Sequence, residues 1–238
     1  EEDRGEIPPT PQPGGKVETA RATPDPSGAD LIATSATTQP ADRVESGDTA
    51  VLPSLDFVLL TDTTGSMAPE LSQLQASLPN LTANLAIVAE TSDLRLGLVT
   101  YRDIGKEAAV QIYEFTDDLA LFTDQLANVT AVGGGDYPEA MTEGFYQAIT
   151  NLAWRTDATK VVILLGDAPP QIGSVNAPTL QEISRLATVN DLTIFTIGSD
   201  GLDAAGVEIY AQMAQKGNGR FLFLTDNPDN NIGNATAV

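Results

Sequence analysis

The chain has 238 residues with 33 acidic and 12 basic side chains, a formal net charge of −21, which argues against nucleic-acid and anionic-membrane binding because both need basic patches. It contains no cysteine and no histidine, which removes disulfides, Ser–His and Cys–His nucleophiles, the usual general base and most zinc chemistry. Carboxylates and hydroxyls are left as the metal ligands on offer, in a chain long enough for one domain plus a tail.

Residues 1–52 read as a disordered acidic tail or linker, and 53–238 as the folded domain. Prolines recur at Pro8, Pro9, Pro11, Pro13, Pro24, Pro26 and Pro40, and the first aromatic residue is Phe57. Such a segment buries too little apolar surface to offset its ordering entropy. No run of about 18 apolar residues occurs, so no membrane insertion is expected. With neither an initiating Met nor a signal-peptide pattern, the chain is expected to be a mature product or a piece of a larger protein.

Leu55–Leu60 is an apolar run of strand length that ends in Asp62-Thr63-Thr64-Gly65-Ser66. Leu71, Leu74, Leu78, Leu81 and Leu85 follow at steps of three and four, one face of a helix that Pro79 should bend. Leu94–Tyr101 and Ala109–Phe115 predict two strands in a hairpin, the second antiparallel at a sheet edge. A helix is expected from Asp118 to Val129. Then comes Gly133-Gly134-Gly135-Asp136-Tyr137-Pro138-Glu139-Ala140, a flexible loop before another helix. Lys160–Leu165 is the continuous apolar run of a strand buried on both faces, and it stops at Gly166-Asp167-Ala168-Pro169-Pro170. Helices over Thr179–Val189 and Ala204–Lys216 precede strands Leu192–Ile197 and Arg220–Leu224. Alternation of this kind predicts an α/β fold, a doubly wound and mostly parallel sheet flanked by helices, with room after Asp226 for a short closing helix at most.

In an open α/β sheet, ligands bind beyond the carboxyl ends of the strands. Three loops are expected there, carrying Asp62, Thr64 and Ser66, then Asp136, then Asp167. Together they make an oxygen-rich cage suited to magnesium, manganese or calcium. Each residue also has a plainer reading. Asp62 and Ser66 could cap a helix, Asp167 could be a turn residue, and Asp136 could be an N-cap with Glu139 as its capping-box partner. Arg102, after the second strand, reads as a surface ion-pair residue more than a ligand contact. Tyr137 at the rim suits packing or partner contact equally. Trp154 and Arg155 read as structural.

The three motifs in register, Asp-Thr-Thr-Gly-Ser, Gly-Gly-Gly-Asp-Tyr-Pro-Glu-Ala and Leu-Leu-Gly-Asp-Ala-Pro, resemble the metal-ion-dependent adhesion site of a von Willebrand factor type A domain. The resemblance covers Ser54 to Val238. It implies a Rossmann-like six-stranded sheet with five parallel strands, and a magnesium ion whose coordination a partner completes with an Asp or Glu. Thr64 and Ser66 would be direct ligands, and Asp62 and Asp167 direct or water-mediated ones. Where many members have threonine this chain has Asp136, an added carboxylate expected to hold a cation more firmly and to welcome an incoming carboxylate less.

The function so implied is a non-enzymatic, cation-dependent protein-binding module for adhesion or complex assembly. Two alternatives stay open: a regulatory subunit working with a ring ATPase, and a metal-dependent phosphatase with Asp62 as nucleophile. The second lacks the further aspartate two residues on, and has no lysine in these loops. The acidic tail and missing cysteines point to an extracellular or cell-envelope setting, prokaryotic in kind; a ring-ATPase partner would instead imply the cytoplasm.

Overall fold

The computed structural model describes residues 51–103, 109–135, 137–172 and 178–225. The tail expected over 1–52 lies outside them except for Val51 and Leu52, and so do Asp136 and the closing segment after Thr225. Six strands form one sheet: β1 (Ser54–Asp62), β2 (Asp93–Tyr101), β3 (Val110–Thr116), β4 (Thr159–Gly166), β5 (Leu192–Gly198) and β6 (Phe221–Phe223). Their order is β3-β2-β1-β4-β5-β6, with β3 antiparallel to β2 and every other pair parallel. The expected fold class is the observed one. β1 is central, and its carboxyl end stands between those of β2 and β4.

The helices are α1 (Ala68–Ala76), α2 (Leu78–Thr91), α3 (Leu119–Ala127), α4 (Met141–Thr150), α5 (Leu180–Val189) and α6 (Ala204–Lys216). Successive strand residues point to opposite faces, so Leu59 and Leu60 serve different cores. Val58, Leu60, Val162 and Leu164 pack with Met141, Phe145, Ile183 and Tyr210 on the α4–α6 side. Leu59, Leu96, Leu98 and Leu165 pack with Met67, Leu71, Phe122 and Leu126 on the α1–α3 side. This two-sided burial is why β1 and β4 are apolar runs rather than alternating strands.

One expectation is corrected, and one of the alternatives left open at Glu139 is set aside. The long helix does not bend at Pro79 but breaks at Ser77, whose hydroxyl donates to Gln73 O at 2.8 Å. Pro79 then falls in the first turn of α2, where its missing N–H leaves no helical bond unmade. Nor does α4 start near residue 136. Its N-cap is Ala140, with no side-chain cap, so Glu139 is not a capping-box partner. Glu139 is instead extended and bridges in parallel to Pro170.

Trp154 and Arg155 are structural, as expected. The Trp154 indole donates to Ala148 O at 2.9 Å and meets Phe115 edge-on. Arg155 reaches Asp56 at the amino end of β1, where Arg95 joins them (Nε to Asp56 Oδ1 2.9 Å, Nη2 to Oδ2 2.7 Å). This ion-pair cluster closes the end of the sheet opposite the predicted loops.

Candidate metal centre

The first loop leaves β1 at Asp62 and is held from both sides. Thr63 N and Oγ1 both donate to Tyr101 O, at 2.9 and 3.0 Å, tying it to the end of β2. Gly65 N donates to Gly133 O at 3.1 Å, and Val132 N to Thr63 O at 3.0 Å, tying it to the second loop. The approach at that seam is close. A Cβ on Gly65 would lie 3.0 Å from Gly133 O, and one on Gly134, at φ +84°, would lie 3.3 Å from Thr64 Cβ. Glycine is the residue that accepts both the contact and the positive φ.

The second loop is also stitched to the third. Glu139 N donates to Pro169 O at 3.0 Å and Gln171 N to Glu139 O at 2.8 Å. Its other side is fixed by Ala140 N donating to Arg102 O at 2.9 Å. The Arg102 guanidinium donates to Thr63 O and Thr63 Oγ1 through Nε, and to Thr130 O through Nη2. Arg102 thus braces the first loop and the approach to the second, a role sequence reading did not assign. Tyr137 stands half-exposed at the rim.

This bracing brings Asp62, Thr64, Ser66 and Asp167 together. Thr64 Oγ1 donates to Asp62 Oδ1 at 2.8 Å, Thr64 N donates to the same oxygen at 2.8 Å, and Thr64 Oγ1 lies 3.1 Å from Ser66 Oγ. The Ser66 hydroxyl in turn hydrogen-bonds Asp167. The chain of contacts leaves Asp62 Oδ2 and Asp167 Oδ1 buried with no hydrogen-bond partner. Asp167 lines an open hollow of about 440 Å³ whose walls also include Gly65, Ser66, Gly133, Gly134 and Tyr137. Asp136, the remaining sequence candidate, lies outside the described residues.

Burial pushes Asp62 up to about 7, with Asp167 and Asp103 adding to the effect against the hydrogen bonds from Thr64. Burial also raises Asp167. Sequence reading missed the third carboxylate here. Glu139 is buried, hydrogen-bonds Asp103, has Oε2 without a partner, and is pushed up to about 9 by burial and by Asp103, Asp62 and Asp167. In the sequence it is an acid directly after a proline, and its spacing from Asp136 offers only the capping-box reading.

Buried carboxylate oxygens with no donor are costly unless something compensates them. Hard oxygen donors of this mixture fit a hard divalent cation. Among the described residues no group of three or more acidic side chains is able to hold a metal alone. The set is mixed, two carboxylates with two hydroxyls.

The strand end itself is tightly packed. A Cβ on Gly166, the residue before Asp167, would lie 2.6 Å from both the Tyr101 and Tyr210 hydroxyl oxygens. Both tyrosines are fully buried, so neither can swing away. Gly166→Ala is expected to destabilise the fold by about 1–3 kcal/mol, the cost of overpacking, read from urea midpoints.

The profile of the von Willebrand factor type A domain matches residues 56–236. Alpha-protein kinase vwkA of Dictyostelium discoideum is 28% identical over 116 residues, which make up 48% of this chain and 18% of that protein. The chain therefore spans only a small part of that relative. The crystal structure of conserved hypothetical protein BatB from Bacteroides thetaiotaomicron aligns with a TM-score of 0.54 at 13% identity, over 73% of this chain and 91% of that one. At that identity the likeness is one of fold. With its profile matched over most of its length and the sheet order in place, the chain belongs to the von Willebrand factor type A domain family.

Proposed function

We propose that this domain is a non-enzymatic protein-binding module that works through a divalent cation, magnesium by preference, with manganese or calcium able to replace it. Domains of this family are commonly protein-interaction modules. The observation that carries the finer reading is the pair of buried, unpartnered oxygens, Asp62 Oδ2 and Asp167 Oδ1, beside the Thr64 and Ser66 hydroxyls. Asp62, Thr64, Ser66 and Asp167 are the residues that would hold the ion. When bound, the ion supplies a positive field and an open position for an Asp or Glu of the partner. Thr64 and Ser66 are neutral donors, so they leave more of that field for the partner than carboxylates in their places would.

The test is calorimetry of magnesium into the EDTA-stripped domain, paired with capture of binding proteins. A saturable single-site isotherm is expected, with Ser66→Ala weakening it at least tenfold, about 1.4 kcal/mol. Proteins captured in magnesium should elute with EDTA and escape the Ser66→Ala variant. Capture that survives both treatments would refute bridging by a metal.

A further inference from the structure

We infer that a fourth loop, residues 199–203 between β5 and α6, is part of this site and positions Asp167, with Tyr137 as the strap that holds it. The inference rests on the metal-binding reading above. It concerns residues that supply no ligand atoms and so carry no metal-site signature in the sequence.

This loop touches each of the other three. Ser199 N donates to Gly166 O at 3.2 Å, at the end of β4. The Ser199 hydroxyl lies 3.8 Å from the sulfur of Met67, the residue after Ser66. Gly201 backs directly onto Asp167: a Cβ there would lie 3.3 Å from Asp167 O and 3.5 Å from Asp167 Oδ2. Gly201 has φ +119°, a conformation that glycine adopts without strain. The strap then closes the ring. Tyr137 OH donates to Gly201 O at 3.3 Å and accepts from Asp203 N at 3.0 Å.

The other end of the loop is anchored in α6. Asp203 caps that helix by accepting from Gly206 N at 2.7 Å. About two helical turns later, Tyr210 of α6 donates its hydroxyl to Ala168 O at 3.1 Å, the residue after Asp167. Asp167 is therefore held by Ser66 on one side and flanked by contacts from the Gly201 loop and from Tyr210 on the other. Tyr137 is 49% exposed, so its hydroxyl could be satisfied by water. Burial does not force it onto two main-chain groups of another loop, and what those bonds achieve is to fix the distance between the second loop and the backbone behind Asp167.

Partners that orient a metal ligand typically account for 10- to 100-fold in metal affinity. Tyr137→Phe keeps the ring and removes both bonds. The expected result is magnesium affinity about tenfold weaker by calorimetry, with the melting temperature in EDTA unchanged, and an altered manganese EPR spectrum. Tyr146→Phe, at an exposed tyrosine of α4, should change none of these. Gly201→Ala is the second variant, since its methyl group would press on Asp167 directly; it too should weaken magnesium binding. Wild-type magnesium affinity in both variants, or in Tyr137→Phe a loss of affinity matched by equal loss of stability in EDTA, overturns the positioning role. A wild-type domain that binds no magnesium fails a different claim, the metal-binding reading itself.

Discussion

Asp62→Asn is expected to make the domain more stable in EDTA while abolishing its response to magnesium. Asp62 is fully buried, Oδ1 accepts from Thr64 N and Oγ1, and Oδ2 accepts from nothing. Burial pushes this carboxyl up to about 7, so at pH 8 the folded domain carries a buried ionised group with half its acceptor capacity unused. Asparagine keeps an oxygen for Thr64 and discards the charge. An unsatisfied buried group costs about 1–3 kcal/mol, and more if charged, while the new amide nitrogen will recover only part of its own hydrogen bonding. A net gain of about 1–2 kcal/mol would raise the melting temperature by roughly 2–8 °C at this size. Magnesium should then raise the wild-type melting temperature and leave the variant's unmoved. A variant no more stable than wild type in EDTA, or one still stabilised by magnesium, would show that Asp62 is an ordinary turn residue.

The residues proposed for this site were legible because each marks a break in a strong pattern. Asp62 and Asp167 are acids at the ends of apolar runs, and the alternation of runs and helical faces put those ends on one edge. Ser77 was not legible, because a proline inside a helical leucine pattern serves equally for a bend or for a fresh start, and the choice depends on tertiary packing. The role of Glu139 stayed open for a related reason: capping-box spacing is local, whereas its bridge to Pro170 is set by the neighbouring β4 loop. The β5–α6 loop was invisible as part of the site, because what it contributes is chiefly a carbonyl, two amides and a glycine. Its one hint was Ser199-Asp200-Gly201 at a strand end, the same grammar as the loops that were recognised. Asp56 left a clearer trace that went unread, an acid near the start of an otherwise apolar strand. Its partner Arg155 is 99 residues away, so nothing in the sequence joined the two.

Asp56→Ala should have the opposite effect to Asp62→Asn, although both acids lie on β1 and both are fully buried. The difference is the partners. Asp56 accepts from Arg95 Nε and Nη2, and from Arg155 Nε and backbone N, at 2.7–2.9 Å. Burial alone would raise this carboxyl, but the hydrogen bonds from Arg95 and Arg155 outweigh it and hold Asp56 below its ordinary 3.8. Removing one member of a buried pair leaves the others uncompensated, at about 3–5 kcal/mol. Here the arginine side chains are 24% and 20% exposed and can partly hydrate, which puts the expected loss at the lower end, about 3 kcal/mol. The pH dependence follows from the sign of the shift. A depressed folded pKa gives stability that is present above 3.8 and is lost as pH falls through the folded value. Urea midpoints for wild type and Asp56→Ala should therefore differ most at neutral pH and converge as pH falls below 3.8. A gap under about 1 kcal/mol at pH 7 would mean that the cluster behaves as a surface pair. In that case the amino end of the sheet is held by apolar packing alone, and the rigid base on which the opposite, ligand-bearing edge stands is not ionic in origin.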